Sequence, residues 1–182
     1  MKRFAPLLLL VLLASCDPKI YPIKGTYPAT PMVFNSDNSF EKSWDKLVDI
    51  FAQKGLTIKI IDKSSGLIIS SNSRMPATPE DSKGNPKNPN AYIVVPSVKS
   101  NNQIKPISGS NQGPYTSKSK VIYYPVYGEW NVRIKPNGNG STINVNITNV
   151  TYEVPGATNR YTSLRDYRST GVFEKELADL IK

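Results

Sequence analysis

The segment 128–154 constrains the fold most, because its apolar side chains recur with a period of two along neighbouring stretches. The first stretch has apolar or small residues at every second position, namely Gly128, Trp130, Val132 and Ile134. After the turn PNGNG, Ile143, Val145 and Ile147 repeat the pattern. A period of two is typical of a strand with one buried face, so a β-hairpin is predicted here. The apolar parity slips by one residue near 148–149, which predicts a β-bulge.

A second hairpin is predicted at 56–71. Leu56, Ile58 and Ile60 alternate with polar residues, and the turn that follows contains Gly66, which supplies a positive φ. Each hairpin therefore has one apolar face that another element must cover.

Two amphipathic helices are available as that cover. The first has an apolar stripe at helical spacing, formed by Phe40, Trp44, Leu47, Val48 and Phe51. The second, at the C-terminal end of the chain, has a stripe formed by Phe173, Leu177, Leu180 and Ile181. The predicted fold class is α+β: an antiparallel sheet of about four to five strands in two hairpins, covered on one face by an N-terminal and a C-terminal helix.

The first sixteen residues, MKRFAPLLLLVLLASC, have the layout of a secretory signal peptide. Lys2 and Arg3 precede an apolar stretch from Phe4 to Ala14. Those eleven residues are too few to cross a bilayer core of about 30 Å as a helix, which takes about 20 residues. We predict a signal peptide at 1–15 rather than a membrane-spanning anchor.

The residues Leu13, Ala14, Ser15 and Cys16 resemble the lipobox of bacterial lipoproteins. This resemblance implies that the Cys16 thiol receives diacylglycerol, that a signal peptidase cleaves between Ser15 and Cys16, and that the new amino group is acylated, for example with palmitate. Cys16 is the single cysteine in the chain, so no second thiol is available for a disulfide. An ordinary secretory signal with an incidental cysteine is the alternative.

The lipobox implies a lipid anchor in the bacterial cell envelope. The outer membrane is expected, with the inner membrane and the cell surface left open. Asp17 follows the cysteine, as in lipoproteins that enteric-type bacteria retain in the inner membrane.

Three regions are predicted for the chain. Residues 1–15 form the signal peptide, residues 16–36 form a proline-rich tether, and residues 37–182 form a single domain with a long loop at 73–119. An extended tether with about 3.1 Å per residue would hold the domain up to about 60 Å from the lipid. Packing of part of the tether along the domain is the alternative.

The element order helix, hairpin, loop, hairpin, helix resembles the α+β domains of BamC-type envelope lipoproteins. The resemblance depends on the run SWDKLVDIFAQKGLTIKIIDKSSGLIIS and on the closing helix. It implies a role as an accessory part of the outer-membrane assembly machinery. The loop rich in Asn, Pro and Lys departs from that pattern.

The composition excludes several catalytic sites. The chain has no histidine, which excludes Ser-His-Asp triads, Cys-His pairs and histidine-ligated zinc. Glu129 is expected to point outward from its strand, and Glu174 is expected on the solvent face of the C-terminal helix. We predict no catalytic residue, no metal site and no cofactor, and a Ser-Lys dyad is left open.

A basic and aromatic segment near the C-terminal end is the predicted binding surface. Its residues are Arg160, Tyr161, Arg165, Tyr167 and Arg168. Arginine and tyrosine are enriched at interfaces, so this segment is a candidate for binding an anionic polymer, lipid headgroups or a protein. A solvent-exposed basic connector is the alternative.

The predicted function is that of a non-enzymatic structural or accessory module in a membrane-associated assembly. The expected partners are the membrane, through acylated Cys16, and an envelope protein. The net charge of +9 is spread along the chain without a block of like charges, and nucleic acid is not expected. The alternative function is a lipoprotein that binds glycan, lipopolysaccharide or phospholipid through the basic-aromatic segment.

Overall fold

The structure is a computed structural model that describes residues 19–99, 125–153 and 161–182. Within these ranges the chain forms two α-helices, α1 (Phe40–Gln53) and α2 (Val172–Ile181). It also forms twelve β-strands: β1 (Lys19–Tyr21), β2 (Met32–Ser36), β3 (Ile58–Asp62), β4 (Leu67–Ser70), β5 (Ser73–Met75), β6 (Ala77–Thr78), β7 (Ile93–Val94), β8 (Ser97–Lys99), β9 (Val126–Asn137), β10 (Gly140–Glu153), β11 (Tyr161–Ser163) and β12 (Arg168–Ser169). The fold is mixed α+β, with a large antiparallel sheet and a helix near each end.

The large sheet has seven strands, so the prediction of four to five was too low. Its order is β11-β10-β9-β4-β3, with β2 also paired to β10 and β5 also paired to β9. The reason is the length of the central hairpin, since β9 has 12 residues and β10 has 14. Each of these strands is long enough to pair with two short strands in succession along its outer edge.

Both predicted hairpins are confirmed, as β3–β4 and β9–β10. The predicted bulge is confirmed as well, because the register of β10 shifts between Thr148 and Thr151. Asn149 within it has a φ of 54°, a left-handed conformation that asparagine tolerates better than most residues. A second bulge, between Ile58 and Ile60 of β3, was not predicted.

Both helices pack on the face of the sheet that carries Trp130. The ring of Phe173 in α2 stacks on Trp130 with centroids 3.7 Å apart. In α1 the Ser43 hydroxyl lies 2.7 Å from the Ser141 hydroxyl of β10. The predicted stripe of α1 is buried or partly buried. Leu180 was predicted to belong to the buried stripe of α2, but it is 50% exposed and lies outside the core.

Two smaller sheets accompany the large one. β1 pairs with β8, and β7 lies between β6 and β12. These strands include parts of the segments that were predicted as tether and loop. Residues 32–36 of the predicted tether belong to the large sheet, and the described part of the predicted loop, 73–99, contains four short strands. Residues 100–119 of that loop lie outside the described ranges.

Candidate functional site

The predicted lipidation site lies next to the described part of the chain. Ser15 and Cys16 are outside the described ranges, and the description begins at Lys19, three residues after Cys16. From its first residue this part of the chain is paired, because β1 runs antiparallel to β8 with Tyr21 opposite Ser97.

A partly buried network, which we call the Glu80 clasp, fixes the chain that follows β1. The backbone N–H groups of Lys24 and Gly25 each donate to a carboxylate oxygen of Glu80 at 2.7 Å. The Tyr27 hydroxyl lies 3.0 Å from both Glu80 Oε1 and the carbonyl oxygen of Gly84. Burial, together with the hydrogen bond and charge of Glu80, raises the pKa of Tyr27 to about 12. The clasp therefore attaches residues 24–27 to the domain.

Gly25 allows the two chain segments of the clasp to come this close. A Cβ atom at this position would lie 2.1 Å from the backbone oxygen of Gly84. Contact at that distance is impossible for any other residue without a backbone shift.

The loop that carries Glu80 is stabilised by its own acidic residue. Asp81 accepts hydrogen bonds from the N–H groups of Lys83 and Asn85 at 2.8 and 2.9 Å. The bond from Asn85 is the main cause that lowers the pKa of Asp81. Lys83 and Lys87 of this loop are exposed.

The predicted basic-aromatic surface is divided in the structure. Arg160 lies outside the described residues. Arg165 and Arg168 are exposed, as predicted. Tyr167 packs against the core and donates its hydroxyl to the carbonyl of Ile147 at 3.1 Å, and burial raises its pKa. Tyr161 belongs to the seven-stranded sheet through β11, whereas Arg168 belongs to the three-stranded sheet through β12. The segment therefore does not form one continuous surface.

Tyr161 instead belongs to an aromatic pair on the large sheet. Its ring meets Tyr127 edge to face, with centroids 5.5 Å apart. It remains 48% exposed.

The topology of the sheet β6–β7–β12 brings several segments to one end of the molecule. β6 is parallel to β7 with Thr78 opposite Val94, and β12 is antiparallel to β7 with Arg168 opposite Val94. The last residues of β6 and β7 and the first residue of β12 therefore lie side by side at one end of this sheet. At that end the chain leaves β6 towards the Glu80 loop, leaves β7 towards β8, and enters β12 from Arg165. We call this region the anchor end and define it as residues 19–27, 79–88, 95–99 and 164–168.

Glu129 is buried, contrary to the expectation that it is solvated. Its residue exposure is 7%. One carboxylate oxygen accepts from Lys59 Nζ and the other from Asn149 Nδ2, each at 2.7 Å. The hydrogen bond from Lys59 is the main cause that lowers its pKa.

Glu174 is also buried, which corrects its expected place on a solvent face. Its exposed fraction is 0%. The Ser169 hydroxyl donates to Oε1 at 2.5 Å, and Oε2 has no hydrogen-bond partner among the described residues. Burial raises the pKa of this carboxyl group.

No cluster of three or more Cys, Asp or Glu side chains that would bind a metal ion occurs in residues 19–99, 125–153 and 161–182.

A groove of ≈ 510 Å³ lies beside the turn between β3 and β4. Its Lys63 is paired with Glu41 at 2.5 Å, and Arg133 Nε donates to the carbonyl of Ser65 at 3.2 Å. These two cations are therefore already engaged within the domain.

No protein-family model matches this chain, and no curated protein matches it. In the described part of the chain, neither helix has the length and apolar character needed to cross a membrane.

Proposed function

We propose that this protein is a lipid-anchored protein of the bacterial cell envelope whose domain is a non-enzymatic structural or accessory module. The observation that carries the proposal is the motif Leu13, Ala14, Ser15 and Cys16 directly after a cationic and apolar leader. The motif provides a thiol for the lipid and small residues for a signal peptidase. We place the anchor in the outer membrane, as the resemblance to BamC-type lipoproteins implies.

Two features of the fold support an accessory role. The buried carboxylates Glu129 and Glu174 bond to side chains of the domain itself, so their contacts are those of structural groups. The chain is also paired and clasped soon after the proposed anchor, as suits a domain held in a fixed position within an assembly.

The second candidate is a lipoprotein that binds glycan, lipopolysaccharide or phospholipid. The exposure of Arg165 favours this candidate, because its guanidinium group forms no ion pair among the described residues and remains accessible to an anionic ligand. Arg168 is exposed as well, but it pairs with Asp166 at 3.4 Å.

The anchor is tested by mass spectrometry of the N-terminal peptide of full-length protein produced in a bacterial host. We expect a peptide that begins at acylated Cys16 and is recovered from the membrane fraction. Cys16→Ser removes the thiol and should abolish acylation and cleavage. Ser15→Ala keeps a small residue before the cysteine and should be processed normally. A soluble protein with a free Cys16 thiol would overturn the proposal.

The accessory role is tested by crosslinking in cells and mass spectrometry of the proteins captured from the membrane fraction. A stoichiometric envelope protein would support the module. Recovery of lipid or glycan without a protein partner would favour the second candidate.

A further inference from the structure

We propose that the anchor end binds anionic phospholipid headgroups, so that the domain lies against the membrane surface instead of projecting on a long tether. This inference rests on the proposed lipid anchor, and it adds a second contact with the bilayer and an orientation for the domain.

The chain between the lipid and the domain is short. Only three residue steps separate Cys16 from Lys19. A fully extended chain spans at most about 3.6 Å per residue, so β1 begins within about 11 Å of the acylated residue. The start of β1 therefore remains close to the headgroups whatever path these residues take.

The first residues of the anchor end are firmly attached to the domain. β1 is paired with β8, and the Glu80 clasp binds residues 24 and 25 through two charged hydrogen bonds of 2.7 Å. Hydrogen bonds to a carboxylate are stronger than neutral ones. The lipid is therefore attached close to one defined end of the domain.

Charge is unevenly distributed over the described residues. Among the residues whose side chains are described, the anchor end contains five Lys and Arg residues and three Asp and Glu residues, whereas the remainder contains ten of each. All of the net positive charge of the described residues therefore lies at the end next to the lipid. A surface with that charge is attracted to the negative potential of a membrane with anionic lipids.

The acids of this end are engaged within it, and three of its cations are accessible; Asp166 pairs with Arg168 at 3.4 Å. Glu80 and Asp81 accept hydrogen bonds from backbone N–H groups. Lys24, Lys87 and Arg165 are exposed, and they form no ion pair within the described residues. These three cations remain available for phosphate groups.

An exposed apolar side chain at the same end fits the boundary between headgroups and acyl chains. Ile20 on β1 is 63% exposed. An apolar residue beside cations is the combination that binds membrane interfaces.

The orientation is tested with the chain from Cys16 onward, which contains every described residue. Its single cysteine allows coupling of Cys16 to a maleimide lipid in vesicles, so the anchor is supplied chemically. Lysine acetylation is then measured residue by residue on neutral phosphatidylcholine vesicles and on vesicles that also contain phosphatidylglycerol. Failure of acylation in cells leaves this result readable, so the two proposals are tested separately.

We expect labelling of Lys24, Lys83 and Lys87 to fall about fivefold on the anionic vesicles, the factor that corresponds to about 1 kcal/mol per cation near such a surface. High salt should restore the labelling because it screens the charges. Lys42 and Lys175 lie exposed on the helices and should be labelled equally on both vesicles. Equal labelling of all five lysines on both vesicles, or protection of the helices, would overturn the inference.

A matched pair of variants separates the anchor end from the overall charge. Lys83→Gln with Lys87→Gln removes two cations of the anchor end, and Lys42→Gln with Lys175→Gln removes two cations elsewhere. Binding of the uncoupled proteins to anionic vesicles should weaken by tenfold or more in the first variant, at about 1 kcal/mol per cation, and remain close to the native value in the second. Equal weakening would show attraction by net charge alone and would overturn the inference.

Discussion

Glu129 and Lys59 form an ion pair, with Oε1 and Nζ 2.7 Å apart, on the face of the sheet opposite the two helices. Lys59 is the residue at the bulge of β3, and Asn149, which binds the other oxygen of Glu129, lies in the bulge of β10. One carboxylate on the central strand β9 therefore joins the two irregular positions of the sheet. A bulge adds a residue that the regular ladder cannot pair, and here its side chain is used to stabilise the sheet.

Glu129→Gln is expected to lower the free energy of unfolding by about 1–3 kcal/mol at pH 7, because the Glu129 side chain is only 9% exposed and its carboxylate loses the charge-assisted hydrogen bonds from Lys59 and Asn149. Urea unfolding measures the change. Glu41→Gln is the matched control, since the Glu41–Lys63 pair is exposed on both sides and such pairs contribute between 0 and about 1 kcal/mol. Equal effects of the two substitutions would contradict a structural role for Glu129.

The contribution of Glu129 should also depend on pH. Its folded pKa lies below the ordinary value of 4.5, so the stabilisation is complete above that value and is lost as the pH falls through the folded pKa. The difference between the native protein and Glu129→Gln should therefore shrink in acid. A difference that stays constant from pH 7 to pH 3 would contradict this assignment.

Glu174→Gln is expected to show the opposite dependence on pH. Burial raises the folded pKa of Glu174 above its ordinary value of 4.5, so its contribution to stability is complete below 4.5 and is lost as the pH rises through the folded pKa. The glutamine keeps an acceptor for Ser169 and carries no charge. The variant should therefore be more stable than the native protein at pH 8 and lose that advantage near pH 4. Asp179→Asn, in an exposed pair on the same helix, should show no such trend.

Phe173→Ala is expected to cost about 3–5 kcal/mol, the range for removing a buried aromatic ring. Phe173 is 1% exposed and stacks on Trp130. Leu180→Ala, two turns further along α2, should change stability by no more than about 0.5 kcal/mol because Leu180 is half exposed. If the alanine variant does not fold, Phe173→Leu should show a smaller loss in the same direction. Similar costs at both positions would contradict the observed orientation of α2.

The long elements were predictable from the sequence because their patterns extend over many residues. The strands β9 and β10 repeat a period of two often enough to reveal both the buried face and the slip at the bulge. The strands β2, β5 and β11 have three to five residues, which is too short for a period to show. Their pairing is determined by the free edges of β9 and β10, which no local pattern reports.

The candidate site was only partly predictable for a related reason. The exposure of Arg165 and Arg168 follows from their charge, and the structure agrees. The burial of Glu129 depends on Lys59, 70 residues away in sequence, and the Glu80 clasp joins residues 55 and 56 positions apart. Each of these contacts joins residues that are far apart in the sequence, so the residues around each partner do not predict it.

Glu80→Gln tests whether the clasp holds the chain that leads to the anchor. The amide side chain has only one acceptor oxygen, so the N–H groups of Lys24 and Gly25 can no longer both be bound. Hydrogen bonds to charged groups contribute about 1.5–3 kcal/mol, so amide hydrogen exchange at residues 24 and 25 should accelerate by about tenfold or more. Exchange in β9 and β10 should stay unchanged, because the opening is local. Glu41→Gln should leave all of these amides at their native rates, and an unchanged rate at residues 24 and 25 in Glu80→Gln would show that the clasp does not hold this segment.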